Sequence, residues 1–208
     1  MNLLRYMVLG ALFFAFTALV IQLLRGRRYG NRKLYSDSAG DAGKGIAYAL
    51  SKGMMPWEKE SAYKHLPTYM AGMIYHTGIF AAAGWALSLV LNIILPTFIT
   101  TLLSVLIAVG FLSGLGLLAK RIVKSPMRSI SCLDDYLSNT LVDMFLLFGF
   151  LSILWPGTIR AFLIISIITL VYMPMGKIRH CFYFFYSRIL FGFYFGRRGV
   201  LPHQNQPR

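Results

Sequence analysis

Five stretches of this chain, at about residues 3 to 24, 68 to 95, 98 to 118, 139 to 155 and 158 to 179, are apolar for long enough to cross a hydrocarbon core roughly 30 Å thick. That constraint removes most folds at once. Inside a bilayer every backbone N–H and C=O needs a partner within the protein, so each run predicts a helix rather than part of a barrel. The expected fold is all-α: a polytopic membrane protein with five transmembrane helices. Composition agrees, since 57% of the 208 residues are hydrophobic, only 13% are charged, and the mean hydropathy is +0.61. The first run reads as a span and not as a signal peptide. Its apolar part from Tyr6 to Leu24 is too long for a signal h-region, it lacks a convincing small-residue cleavage site, and Arg25-Gly26-Arg27-Arg28 follows at once. No internal repeat is visible.

A net charge of +14 would suit a nucleic-acid partner, but the placement of the basic residues argues for a membrane instead. Of the 21 lysines and arginines, all except Arg5 and Arg160 fall in residues 25 to 64, 120 to 128 and 177 to 208. The positive-inside rule then predicts an N-terminus outside, a cytoplasmic C-terminus and both long loops in the cytoplasm. The acids lie on or near the same side, so the basic excess reads as topology and contact with the lipid bilayer, with no nucleic acid. Residues 1–190 form the expected five-helix membrane domain and 191–208 a cytoplasmic interfacial segment and tail. Cys132 and Cys181 both fall on the reducing side and are too few for an iron–sulfur cluster.

The loops carry their own signals. After the basic cluster Arg25 to Lys33 come Gly40, Gly43 and Gly45, then Ile46-Ala47-Tyr48-Ala49-Leu50, which reads as a short interfacial helix. Gly53-Met54-Met55-Pro56-Trp57-Glu58-Lys59-Glu60 suits an ordered surface loop, either a solvated connector or a docking point for a soluble partner. Lys120 to Asn139 reads as a loop, and Trp155-Pro156-Gly157 as a tight outer turn. Beyond the last span, Cys181 to Arg198 mixes aromatics with arginine, as interfacial segments do. Asp143 is an acid about one turn inside the cytoplasmic boundary of the fourth span, where it either salt-bridges a basic neighbour or contacts a proton or a quinol.

Of four histidines, His65 precedes Pro67 and so lies outside the second helix, and His203 sits in the polar tail. His76 and His180 lie inside or at the end of apolar spans. An imidazole in lipid without a partner costs free energy, so two of them on different spans point to a shared ligand, most plausibly haem iron. At 1.5 Å per residue His76 lies roughly 30 Å from the outer end of the second span and His180 roughly 33 Å from that of the fifth, within about one turn of each other near the cytoplasmic face. Two neutral imidazoles give a six-coordinate, low-spin iron suited to electron transfer. Lys177, Arg179, Lys124 and Arg128 are placed to bind propionates, although topology alone would also put them there. Met73, Met173 and Met175 are weaker ligand options. Gly72, Gly78 and Gly84 recur along the second span and admit either a neighbouring helix or a flat macrocycle; on the second reading Gly72 belongs to the site. Both histidines could instead be satisfied separately. No further histidine lies towards the outer face, so one haem is the maximum for bis-histidine ligation.

Tyr75-His76-Thr77-Gly78-Ile79 and Pro174-Met175-Gly176-Lys177-Ile178-Arg179-His180, set in five spans, resemble the cytochrome b membrane subunit (gamma subunit) of respiratory nitrate reductase. They are similar also to the membrane subunits of heterodisulfide reductase and of sulfite-reductase-associated complexes. The resemblance covers roughly residues 1 to 190. It implies that His76 and His180 hold the haem b nearest the cytoplasm, that a cytoplasmic iron–sulfur subunit is the redox partner, and that a membrane quinone is the other. A second, outer haem of that family would need ligands near Ala86 and Phe162, where this chain has none. The expected function is therefore a membrane-anchoring, single-haem electron-transfer subunit in a prokaryotic plasma (inner) membrane. The alternative is a haem-free small transporter or assembly subunit.

Overall fold

The computed structural model describes residues 1–30, 34–59 and 63–202, and among them all regular structure is helical. The helices are α1 (Asn2–Gly30), α2 (Ala42–Leu50), α3 (Leu66–Val90), α4 (Thr97–Val123), α5 (Ser125–Ser129), α6 (Leu133–Leu154), α7 (Ile159–Tyr172) and α8 (His180–Arg197). Four of them, α1, α3, α4 and α6, are each long and apolar enough to cross a membrane, and α7 with α8 makes a fifth if that broken pair is one span. Residues 31–33 of the basic cluster, Glu60 of the expected surface loop, and the tail from 203 to 208 with His203 lie outside the described residues.

Several helix limits differ from the sequence expectation, each for a local reason. Pro67 falls in the first turn of α3, where its missing N–H costs nothing, and His65 stays outside that helix and exposed. The other end comes at Val90, before the expected residue 95, in a turn where Asn92 adopts φ 57°, a left-handed conformation that asparagine tolerates. The expected loop from Lys120 to Asn139 is largely helical. Lys120 and Arg121 close α4 with positive charge in its last turn, and α6 opens with Asp134 and Asp135 in its first turn, both favourable to the helix dipole. The Asp135 carboxylate also accepts the Cys132 N–H at 2.9 Å, capping that end. The fifth span is not one helix. It stops at Tyr172, because Pro174 has no N–H to give and clashes with the preceding turn, and a 3-10 turn over Lys177–Arg179 leads into α8.

The described chain forms two compact units, Met1–Ala18 with Pro67–Ile178, and Leu19–Leu66 with Arg179–Arg208. In the first, α3, α4, α6 and α7 share a core in which Ala82, Ile107, Leu146 and Phe162 are wholly buried. The Phe145 and Phe162 rings meet at 5.2 Å and 33°. Lipid is as apolar as leucine, so such a bundle is held by close packing and internal hydrogen bonds more than by exclusion from water. Gly78 and Gly110 supply the close approach: a Cβ on either would lie 2.7 Å from the α-carbon of the other. The Trp85 indole donates to Ser152 Oγ at 2.8 Å, Ser113 Oγ to the Ala71 carbonyl at 2.7 Å, and Lys120 to Thr68 Oγ1. Val8, Val90 and Leu163 bury a smaller patch that holds the first part of α1.

The second unit pairs α2 with α8 through glycine. Asp41 caps α2 by accepting the N–H groups of Gly43 at 2.8 Å and Lys44 at 3.1 Å. A Cβ at Gly196 would lie 2.7 Å from both the Asp41 carbonyl and the Gly45 α-carbon, and one at Gly192 would lie 2.6 Å from the Gly45 carbonyl. Residues 52–58 form two 3-10 turns, and Arg188 of α8 donates to the Gly53 carbonyl at 2.8 Å and contacts Met54 Sδ at 3.1 Å. The Tyr48 hydroxyl donates to Glu58 Oε2 at 2.6 Å, and burial followed by the Glu58 carboxylate pushes this phenol up to about 12.

Candidate functional site

His76 lies on α3 in the first unit, exposed on the outside of the helix. Its Nδ1 is 2.7 Å from the carbonyl of Gly72, one turn earlier. A carbonyl can only accept, so Nδ1 carries a hydrogen in this contact. Histidines that bind metals are typically oriented in this way by a second-shell acceptor. Nothing lies within 4 Å of where a Cβ at Gly72 or at Gly84 would be, so these glycines border open space, whereas Gly78 is consumed by the contact with Gly110. The three glycines read together from sequence thus divide between a helix interface and an open face. By donor chemistry and by the clearance at Gly72, His76 is a residue that would be able to hold a haem iron.

His180 belongs to the second unit as the first residue of α8, and it is exposed there. Its expected depth rested on a continuous fifth helix, which the break after Tyr172 removes. His76 shifts as well: it lies ten residues into α3, or roughly 15 Å from its start at 1.5 Å per residue, closer to the middle of the span than expected. Lys177 is already an ion-pair partner of Asp135 at 2.6 Å, and Arg121 meets the same carboxylate at 3.0 Å. Tyr172 hydrogen-bonds Asp134, whose Oδ1 also accepts from Ser138 at 3.1 Å. Arg179 is exposed immediately before α8. Ala86 and Phe162 are both buried in the apolar core.

The structure assembles a second polar site. The sequence places Asp143 about one turn inside a boundary, either salt-bridged to a basic neighbour or in contact with a proton or a quinol. Because α6 begins at Leu133, Asp143 lies at mid-helix instead, and it is only 3% exposed. No described Lys or Arg pairs with it. Asn139, one turn earlier, donates to Asp143 Oδ2 at 2.9 Å and lies 3.4 Å from the Tyr75 hydroxyl of α3. A Cβ at Gly114 of α4 would collide with Asp143 Oδ1 and with the Tyr75 ring. The spacing of Asn139 and Asp143 was visible in the sequence; the convergence of Tyr75 and Gly114 upon them needed the tertiary structure. Sequence reading also passed over Arg5, which donates to Asn92 Oδ1 at 2.9 Å beside a cavity of about 270 Å³ lined by Trp85, Ser88 and Thr100.

No family model, curated protein or solved structure matches this chain.

Proposed function

We propose that the chain is a membrane-anchoring cytochrome b subunit, with one haem b held by His76 and His180 and electrons passing between a membrane quinone and a cytoplasmic iron–sulfur subunit. The observation that supports it most is the contact of His76 Nδ1 with the Gly72 carbonyl at 2.7 Å, which holds the ring as metal-binding histidines are commonly held. In the same reading the N-terminus is outside and the C-terminus cytoplasmic, because the basic residues gather at one set of helix ends, and the membrane is a prokaryotic plasma membrane, as the resemblance to the nitrate reductase subunit implies.

A bis-histidine haem, when bound, supplies one-electron transfer with no open position for oxygen. The chain's own part is to bind and orient. The Gly72 carbonyl holds the imidazole ring, the absence of a side chain at Gly72 leaves clearance beside the ring, and Arg179 brings positive charge next to His180 for a propionate. Lys177 is committed to Asp135, so it contributes mainly to the local field.

The test is a reduced-minus-oxidised visible spectrum of the purified protein with haem counted per chain. Sharp low-spin b-type bands at one haem per chain are expected, lost in His76→Ala and in His180→Ala while each variant still inserts. Unchanged haem content in either variant sinks the assignment. A second reading, a haem-free transporter or assembly subunit, draws on the buried Asp143 group, since mid-membrane acids commonly mark ion or proton paths. A haem-free preparation from cells with ample haem would favour it.

A further inference from the structure

The Asp143 carboxyl is a group in the bundle whose chemistry neither packing nor haem binding explains. It sits ten residues from the start of α6 and eleven from its end, or roughly 15 Å from either, in the part of a span farthest from water. Oδ2 is occupied by Asn139, while Oδ1 is buried with no hydrogen-bond partner among the described residues. The groups facing it can be named element by element. From α3 comes Tyr75, the one titratable side chain brought against it; from α4, Gly114; from α6 itself, Asn139. The remaining neighbour, α7, lends apolar Phe162 to the surrounding core, its Tyr172 is engaged by Asp134, and its Arg160 lies in the first turn at the far end.

An ionised carboxylate in this place would lack a countercharge among the described residues, with only the Tyr75 hydroxyl brought near it from another helix as a donor, and a low-dielectric interior penalises that heavily. Two things could relieve it: a bound cation or a proton. For a metal ion the ligands are lacking: among the described residues no group of three or more His, Cys, Asp or Glu side chains could hold one. A proton needs no such group, removes the charge, and turns a carboxylate acceptor into a donor.

We propose that Asp143 is a proton-binding site of the membrane-embedded bundle, holding an exchangeable proton in the middle of the span. Asp135, Asn139 and Asp143 follow one another at i, i+4 spacing, so a polar face of α6 leads from its charged end to this group and gives the proton a route for exchange. The proposal does not rest on the haem reading and holds for a haem-free protein as well.

Infrared spectroscopy of the intact protein in detergent at neutral pH tests it. The wild type is expected to show the C=O stretch of a neutral carboxylic acid, above the amide band. That band should shift down in D2O and with carboxyl-13C aspartate, vanish in Asp143→Asn and reappear at a changed position in Asp143→Glu. If neither variant folds, the two isotope shifts in the wild type decide the matter. Only ionised carboxylate absorption in the labelled wild type overturns the proposal. So does an acid band that ignores prolonged D2O exposure, because the group would then be a static packing element.

Discussion

Both units of this protein use a close glycine contact, but the first adds a core of large side chains to it. The first fills its interior with side chains: Ile107, Leu146 and Phe162 are wholly buried, and a few hydrogen bonds such as Trp85 to Ser152 pin the arrangement. The second brings backbones together at Gly45, Gly192 and Gly196 and adds polar clasps from Arg188 and Tyr48. A side-chain core loses stability in proportion to what is removed from it. A glycine contact is intolerant of what is added. Truncation should therefore weigh on the first unit, whereas enlargement at a glycine contact should weigh on the second and on Gly78–Gly110 of the first.

The largest effect is expected from truncation in the first unit. Phe162→Ala should cost about 3 to 5 kcal/mol by opening a cavity against Phe145 and Gly149, measured by denaturant unfolding in detergent. Equal stability of this variant and the wild type would mean that the bundle does not depend on its aromatic core. Next comes enlargement in the second unit. Gly196→Ala should cost about 1 to 3 kcal/mol, because its Cβ meets backbone atoms of Asp41 and Gly45 that cannot rotate away. Hydrogen exchange should then accelerate in α2 while α6 keeps its protection. Acceleration spread evenly over both would erase the distinction between the units.

The smallest effect is electrostatic and separates the clasps from the glycine contact. Tyr48 is held at about 12, above the ordinary phenol value, so its neutral form is favoured in the folded state. The stability it contributes is present in full below the unfolded phenol's range near pH 10 and is lost as pH rises through about 12. Tyr48→Phe should flatten that alkaline loss in the second unit without altering behaviour at neutral pH. An unchanged alkaline profile would show that the Glu58 contact has no energetic role.

How far these features could be read from sequence depends on the range of the forces behind them. Hydropathy located α1, α3, α4 and α6, and the glycine-rich segment ahead of Ile46 announced the short helix α2, because apolar length and local composition act on neighbours in the chain. Boundaries were harder. Asp134 and Asp135 looked like loop residues, yet acids in a first turn are what a helix start favours. Pro174 was read through because apolar character continues past it, although its missing N–H ends the helix just before it. The candidate sites divide in the same manner. The Gly72–His76 spacing is local and legible, and so is Asn139–Asp143. Tyr75 and Gly114 reach Asp143 only because α3 and α4 pack on α6, and the Gly45–Gly196 contact joins segments that no sequence periodicity links.

That last contact has a consequence for biogenesis. In the chain, α2 comes before every helix of the bundle from α3 to α7, whereas α8 comes after all of them. Throughout translation and insertion, α2 must therefore wait with its glycine face uncovered, and it gains its partner only when the end of α8 has left the ribosome. Closure of the second unit therefore follows the synthesis of α8. A nascent chain arrested after α7 would have an apolar bundle already in the bilayer beside an unmated helix, the kind of exposed segment that membrane quality-control proteases recognise.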